Sequence, residues 1–274
     1  MHERINSFFL ENNIEYYSAT NINDLNIVNA RLIERAGITA RSAIIFLLPY
    51  YTGEADNLSV YAASLDYHII IKRITDELCR LLSDIYPNNK FFGFGDHSPI
   101  DERHAALVTG LGILGDNGLL INEKYGTYIF VAEVIGDLPP EELGASSLAE
   151  IKRCEGCGAC VSACATGCLS DYSKPCLSAI TQKKGELTES EIALIKQHGT
   201  VWGCDLCQSA CPHNANPVPT PIEFFYKDRM PRLTYKNVSA LSEEDFAKRA
   251  FAWRGRKTVL RNLLLFEEGE QNNL

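Results

Sequence analysis

Four cysteines, Cys154, Cys157, Cys160 and Cys164, stand in the spacing C-x2-C-x2-C-x3-C. This is the run of bacterial ferredoxins, in which three thiolates wrap one corner of an iron–sulfur cubane and the fourth faces away toward a second cluster. A matching half follows at Cys204-x2-Cys207-x3-Cys211-Pro212. Crossed ligation then gives Cys154, Cys157, Cys160 and Cys211 to one [4Fe-4S] cluster, and Cys164, Cys204 and Cys207 plus one further cysteine to another. Cys168 and Cys176 compete for that last place. Zinc ribbons also use paired C-x2-C motifs, but zinc sites seldom show the longer run of four. Ala165 stands where many ferredoxins place proline after the fourth cysteine, which weakens a turn and leaves ligation intact. Cys79, among Leu78, Leu81 and Leu82, reads as a small buried hydrophobe.

Composition fits this chemistry. All of the ten cysteines but Cys79 fall after residue 153, no secretion signal precedes them, and a disulfide scaffold is therefore not the reading. No stretch of eighteen apolar residues lacks a charge, so a cytoplasmic protein with no membrane association is expected. With 274 residues and 46% hydrophobic content the chain can bury a proper core. Its net charge of −9 disfavours nonspecific attraction to nucleic acid.

The elements that must position the cysteines come earlier in the chain. An amphipathic helix is expected near Glu3 to Glu11 and an apolar strand from Ser42 to Pro49. Between Ser59 and Tyr86, Leu65, Ile69, Ile70, Ile74, Leu78 and Leu82 recur at helical spacing until Pro87 ends the run. A short strand from Phe91 to Phe94 follows, then a helix opened by Ser98-Pro99 and running to about Thr109. Gly118 to Ile121 and Thr127 to Ile135 flank Asn122 to Gly126 and read as a hairpin. Leu138 to Glu142 breaks both periods and marks a domain boundary. The expectation is an α/β (α+β) domain over 1–148, a ferredoxin-like double-cluster domain over 149–221, and a C-terminal segment over 222–274. Gly110-Leu-Gly112-Ile-Leu-Gly115 spells G-x-G-x-x-G, but a helix precedes it and a strand follows, the reverse of a dinucleotide site. A tight helix-to-strand passage is expected there.

Several other motifs accompany the cysteines: Asp66-Tyr67-His68, Asp96 after a short strand, Asp101 to Arg103, the glycine-rich Gly110 to Asn117, and Tyr125-Gly126. Further on stand Cys176-Leu-Ser178, Thr181 to Gly185, Gly203 to Gln208, and Trp253-Arg-Gly-Arg256-Lys257 with Arg261-Asn262. Together, from about residue 40 to 265, they resemble the epoxyqueuosine reductases, cobalamin-dependent iron–sulfur enzymes of tRNA modification. The resemblance favours Cys176 over Cys168 as the eighth ligand. It implies a base-off cobalamin held between the N-terminal α/β domain and the ferredoxin-like domain. It also implies an external low-potential electron donor. In the family an aspartate above the cobalt donates a proton while the epoxide oxygen leaves as water, and Asp96 matches it; on its residues alone, Asp96 reads as a cap on the turn before Pro99. Arg103 is implied as its active-site partner. Cofactor contacts are implied at Asp96, Leu120, Gly126, Thr127 and Ser178. Tyr67 and His68 also read as ordinary helix residues.

Two departures bear on the substrate. The family continues into a helical-repeat domain that helps hold the tRNA, for which no counterpart is read here, and Asp116 stands where lysine is usual. Lys248, Arg249, Arg254, Arg256, Lys257 and Arg261 form a basic stretch without acids between Ala247 and Asn262. It suits RNA phosphates or, equally, solvated helix faces with Trp253 in the core. The substrate is expected to be tRNA, weakly bound, or a smaller molecule. A plain ferredoxin-type electron carrier and a non-catalytic cobalamin binder are the rival readings.

Overall fold

A computed structural model of the chain describes residues 1–145 and 147–267. The chain divides into two compact units, each discontinuous in sequence. The first comprises Met1–Tyr50, His68–Gly156 and Thr220–Ile222, and the second Tyr51–Tyr67, Cys157–Pro219 and Glu223–Leu274. The passage into the cluster-bearing unit thus falls at Gly156 and not within Leu138 to Glu142. Those residues carry a short 3-10 turn, Pro140–Leu143, of the first unit.

The first unit is built on a four-stranded antiparallel sheet. Its strands are β1 (Tyr17–Asn21), β2 (Ser42–Pro49), β3 (Phe91–Phe94) and β6 (Ile129–Gly136), in the order β1-β2-β6-β3. The run Ser-Ala-Ile-Ile-Phe-Leu-Leu-Pro of β2 is buried at every position, which places it at the sheet centre with a layer on each face. Helices α1 (Glu3–Glu11), α2 (Ala30–Ala36), α3 (Tyr67–Ile85) and α4 (Glu102–Val108) accompany the sheet. Ala43, Ile45 and Leu47 of β2 join Ile100, Ala105, Ala106 and Leu107 in one apolar cluster. Burial of this kind contributes about 25 cal/mol per Å² of apolar surface. Helix α3 approaches β3 so closely that a Cβ at Gly93 would meet Thr75 Cβ at 2.1 Å.

Two sequence expectations change here. Helix α3 begins at Tyr67, well after Ser59, because the backbone before it is engaged elsewhere in the second unit. The Asp66 N–H donates to Lys248 O at 2.8 Å, and Leu65 bridges Arg249. Ile69, assigned to the buried stripe, is exposed. The expected hairpin is also absent among the described residues. Thr127 to Ile135 contributes β6, which pairs along its full length with β2, whereas β5 (Leu120–Ile121) pairs with β4 (Ile113–Leu114). The glycine-rich segment therefore contains a short strand as well as a turn. β1 and α2 carried no pattern that singled them out.

The second unit is mostly short helices: α5 (Ala159–Ser162), α6 (Leu177–Thr181), α7 (Glu189–His198), α8 (Leu206–Ser209), α9 (Tyr235–Ser239), α10 (Glu243–Ala247) and α11 (Arg256–Glu267). Trp202 and Phe251 anchor one apolar cluster with Leu58, Ala62 and Ala63 of the inserted segment 51–67. Ala165, in the position of the missing proline, packs against a second one formed by Leu177, Ile180 and Ile195. Of the segment predicted as C-terminal, 222–274, Ile222 belongs to the first unit and the described residues from Glu223 onward to this one; its last seven residues lie outside the described ones. Among the described residues no helix is long and apolar enough to cross a membrane.

Candidate active site

Asp96 lies between β3 and α4 with φ +63°. That left-handed conformation is uncommon for a residue with a Cβ and is held only where neighbours fix it. Here its N–H donates to Glu102 Oε1 at 2.6 Å. The carboxylate turns outward, 62% exposed, and Asp96 Oδ2 meets His68 Nε2 at 3.2 Å. His68 is on the first turn of α3, one residue after Tyr67. Asp96 does not cap α4. That role belongs to Asp101, whose Oδ1 accepts the His104 N–H at 3.0 Å. Arg103, on the same helix, donates to Gly118 O at 2.6 Å and so braces the glycine-rich segment.

Near Asp96 stand two further acids, Glu102, which is half-buried, and Glu133, which is buried. Glu133 is the single charge in the run Ile-Phe-Val-Ala-Glu-Val-Ile of β6 and is 0% exposed. Its Oε1 accepts from Ser98 Oγ, while Oε2 is buried without a hydrogen-bond partner. Burial pushes its carboxyl up to about 8, and the charge of Glu102 pushes the same way. Burial likewise raises Glu102 to about 7; the Asp96 N–H opposes this, the Asp96 and Asp101 charges add to it, and His68 lowers it. Both shifts are those of carboxylates with too little water or cation around them. Glu102 was read in the sequence only as part of the Asp101 to Arg103 motif, and Glu133 was not singled out, although one Glu inside an apolar strand was a visible signal.

The remaining expected cofactor contacts of the first unit gather around the glycine-rich segment. Leu120 and Thr127 are buried. Gly126, at φ +57°, closes a two-way backbone bridge with Asn122, at 2.8 and 3.0 Å, which fixes the main chain on either side of it. Asp116 is answered by Arg153, Nη2 to Oδ1 at 3.4 Å. The same segment also anchors the start of the cysteine motif. Leu114 N–H donates to Lys152 O at 2.8 Å, and Cys154 N–H donates to Leu114 O at 2.9 Å.

In the second unit four of the thiols expected at the second cluster, Cys164, Cys176, Cys204 and Cys207, lie near enough to feel one another's charge. Burial pushes Cys204 up to about 11 and Cys207 to about 12, and the Cys176 and Cys164 thiols add to the shift at both. Four thiols that disfavour one another's ionisation suit a positively charged group that neutralises them together, and a cubane gives each thiolate its own iron. Cys168 Sγ lies 3.5 Å from Cys164 Sγ and also senses Cys176. The four residues Cys164, Cys176, Cys204 and Cys207 thus fit the second cluster, with Cys168 beside it. Cys160 and Cys211 are buried and Cys157 is exposed. Asp205, between two of the ligating cysteines, is buried and fully engaged by Ser59 Oγ (2.6 Å), the Val60 N–H (2.6 Å) and Gln208 Nε2 (2.8 Å). It fixes the second cysteine motif to the inserted segment.

Ser178 lines an open cleft of about 640 Å³ together with Cys176, Gln182, Lys183, Lys184 and Arg254. Ser178 Oγ accepts from Gln182 Nε2 at 2.9 Å. Arg254 is stacked 3.7 Å over Trp253, and its Nε is buried without a hydrogen-bond partner. A hydroxyl, an amide and an unsatisfied guanidinium N–H suit the polar side arms of a corrin cofactor. Trp253 is 57% exposed and not in the core. Much of the basic stretch is spent internally. Arg256 pairs with Glu243 at 3.0 Å, Lys248 with Glu244 at 2.7 Å, and the Arg261 guanidinium donates to Lys183 O at 2.9 Å.

The fold and the thiols together define an iron–sulfur protein with two [4Fe-4S] clusters. A family profile described as a 4Fe-4S double cluster binding domain matches residues 153–214. The epoxyqueuosine reductase of Leadbetterella byssophila is 32% identical over 219 residues, covering 76% of this chain and 70% of the relative. That of Cyclobacterium marinum is 30% identical over 247 residues, with 86% and 75% covered. Among solved structures, an epoxyqueuosine reductase bound to a tRNA-Tyr epoxyqueuosine-modified stem loop superposes with a TM-score of 0.77 at 22% identity, over 96% of this chain and 80% of that one. The chain belongs to the epoxyqueuosine reductase family. Its cluster domain is accordingly one for two [4Fe-4S] clusters, and its chemistry is that of an oxidoreductase.

Proposed function

We propose that this chain reductively removes the oxygen of an epoxide on a tRNA-borne nucleoside, or on a smaller molecule of the same kind, with Asp96 as the proton donor. The observation that carries this reading is the setting of Asp96: an outward carboxyl on a left-handed residue, paired with His68 and tied through its backbone to Glu102. Two C–O bonds of the epoxide break and a carbon–carbon double bond forms. The oxygen leaves as water, taking up two protons and two electrons. Cys154, Cys157, Cys160 and Cys211, and Cys164, Cys176, Cys204 and Cys207, would hold the two clusters, which would supply one-electron transfer from an external low-potential donor. Cobalamin supplies the strongly reducing centre when bound. Leu120, Gly126, Thr127 and Ser178 are the residues that the family resemblance assigns to it, and Arg103 keeps the glycine-rich segment in place through Gly118.

His68 orients the Asp96 carboxyl and gives it a path to solvent. An acid placed this way speeds proton transfer by about 10² to 10⁴. The test is Asp96→Asn, assayed anaerobically on tRNA carrying epoxyqueuosine. Cobalamin binding, read from its absorbance, should persist while turnover falls about a hundredfold or more. Turnover equal to the unmodified protein removes Asp96 from the reaction.

A further inference from the structure

The reaction consumes two protons per turnover, and Asp96 carries one. The rest of its neighbourhood offers a second source. Glu102 accepts the Asp96 N–H at 2.6 Å, and Glu133, near enough to feel the charge of Glu102, is fully enclosed, with Ile45 and Phe94 opposite on the neighbouring strands. Ser98 links the loop to this buried acid: its Oγ accepts the Ile100 N–H at 3.0 Å and donates to Glu133 Oε1. Glu133 Oε2 is inaccessible and unpartnered. A bare carboxylate oxygen in such a place is costly unless the carboxyl carries a proton. The charged groups that face the pair are Asp96, Asp101 and His68. Two of these three are acids, and the one nearby guanidinium with a recorded bond, Arg103, is turned to Gly118 O. Both acids being ionised together is therefore strongly disfavoured.

We propose that Glu102 and Glu133 form a proton-sharing carboxyl pair that reloads Asp96 between the two protonations of a turnover. This rests on Asp96 being the donor, as argued above. Once Asp96 has given its proton to the departing oxygen it is a carboxylate. The pair then passes its proton outward, the Asp96 O–H bond re-forms, and the pair is left with one more negative charge, which solvent neutralises after the product leaves. No electron moves in this step. A substrate bound over Asp96 would cover its outward carboxyl, whereas Glu102 already bonds the residue through its backbone N–H.

Glutamine at either position keeps an acceptor for the Asp96 N–H or the Ser98 hydroxyl but cannot hand on a proton. In Glu102→Gln and Glu133→Gln, kcat should fall about tenfold or more with KM unchanged. The unmodified enzyme is expected to lose kcat as pH rises through about 7 to 8, and in these variants that decline should vanish. Glu102→Asp, which restores the acid, should recover part of the rate. A readout without turnover is infrared spectroscopy of the cluster-loaded protein. The carbonyl stretch of a protonated carboxyl should be present at pH 6.5, fade as pH is raised past 8, and be absent in Glu133→Gln. No such band at pH 6.5, or glutamine variants that keep the kcat and pH profile of the unmodified enzyme, overturns the proposal. If the glutamine variants fail to fold, the infrared titration of the unmodified protein decides it. The outcome of Asp96→Asn separates the two ideas: full activity there defeats the donor assignment itself, while a dead Asp96→Asn with indifferent Glu102→Gln defeats the pair alone.

Discussion

His68 Nε2 stands 3.2 Å from Asp96 Oδ2, joining the first turn of α3 to the loop after β3. Both side chains are about half exposed, so the pair adds little to stability. Its value is in orienting one carboxyl. His68→Gln should therefore leave the melting temperature within a few degrees of the unmodified protein. Turnover should fall about tenfold, because a misdirected acid loses much of its effect. Stopped-flow and thermal denaturation on the same preparation would check both; a large loss of stability with normal turnover contradicts it.

The thiol geometry makes a ligand-by-ligand prediction. Anaerobically reconstituted protein should hold about eight irons per chain, for two cubanes. Cys176→Ser should cost close to half of that iron, since Cys176 faces Cys204 and Cys207. Cys79→Ser and Cys168→Ser should leave iron content nearly unchanged. Iron lost from Cys168→Ser and kept by Cys176→Ser would reassign the eighth ligand.

The half-buried Glu102 and the buried Glu133 predict how stability depends on pH. Glu102 and Glu133 have folded-state values raised from 4.5 to about 7 and about 8, so between these limits the native state binds more protons than the unfolded one. Their contribution is then fully present below about 4.5 and is lost as pH rises through 7 to 8. Denaturant titrations should show this decline, and Glu133→Gln should flatten it, gaining on the order of 1–2 kcal/mol at pH 9. An unchanged slope in Glu133→Gln would show that Glu133 is ionised at neutral pH.

Binding of tRNA should be weak. The chain carries −9, Asp116 replaces an attraction with an acid, and Arg256, Lys248 and Arg261 already serve internal partners. Affinity for a tRNA with epoxyqueuosine should be micromolar at best at physiological salt, with each phosphate contact adding roughly one unit to the salt slope. Lys257, exposed at the start of α11, is the residue to reverse: Lys257→Glu should weaken tRNA binding about threefold to tenfold without unfolding the protein. Reversal at Arg256 would instead break its bonds to Glu243 and the Ser242 carbonyl. Tight, salt-resistant binding by the unmodified protein would contradict the weak-binding expectation.

How far the sequence revealed this site depends on whether the chemistry was local. Cysteine ligands announce themselves by spacing, because a loop of two residues sets the reach of successive thiolates. The strand β2 was equally plain, since burial on both faces leaves an unbroken apolar run. What spacing could not show was partnership across long separations. Residues 59–66 looked like the start of α3, yet the backbone bonds of this stretch to residues near 200, 230 and 248 decided otherwise. The hairpin failed for the same reason, as β6 had a better partner in β2. Asp96 was found through its neighbours in the motif, whereas Glu133 needed the tertiary structure to reveal that its side chain points inward.

The chain crosses between its two units five times, at 50/51, 67/68, 156/157, 219/220 and 222/223. On the ribosome this ordering imposes a delay. Residues 51–67 emerge roughly 90 residues before the first of their partners in the second unit, a wait of about 5–20 s at ordinary rates of synthesis. Until then Leu58, Ala62 and Ala63 have no cluster to enter, and the apolar segment must be shielded or tolerated. The sheet of the first unit can form in the meantime, but the peptide around Thr220, whose hydroxyl donates to Pro49 O at 2.6 Å, arrives only after all ten cysteines have been made. Iron–sulfur assembly on the nascent protein would thus begin before its first unit is sealed, and neither unit could be produced as a single uninterrupted fragment.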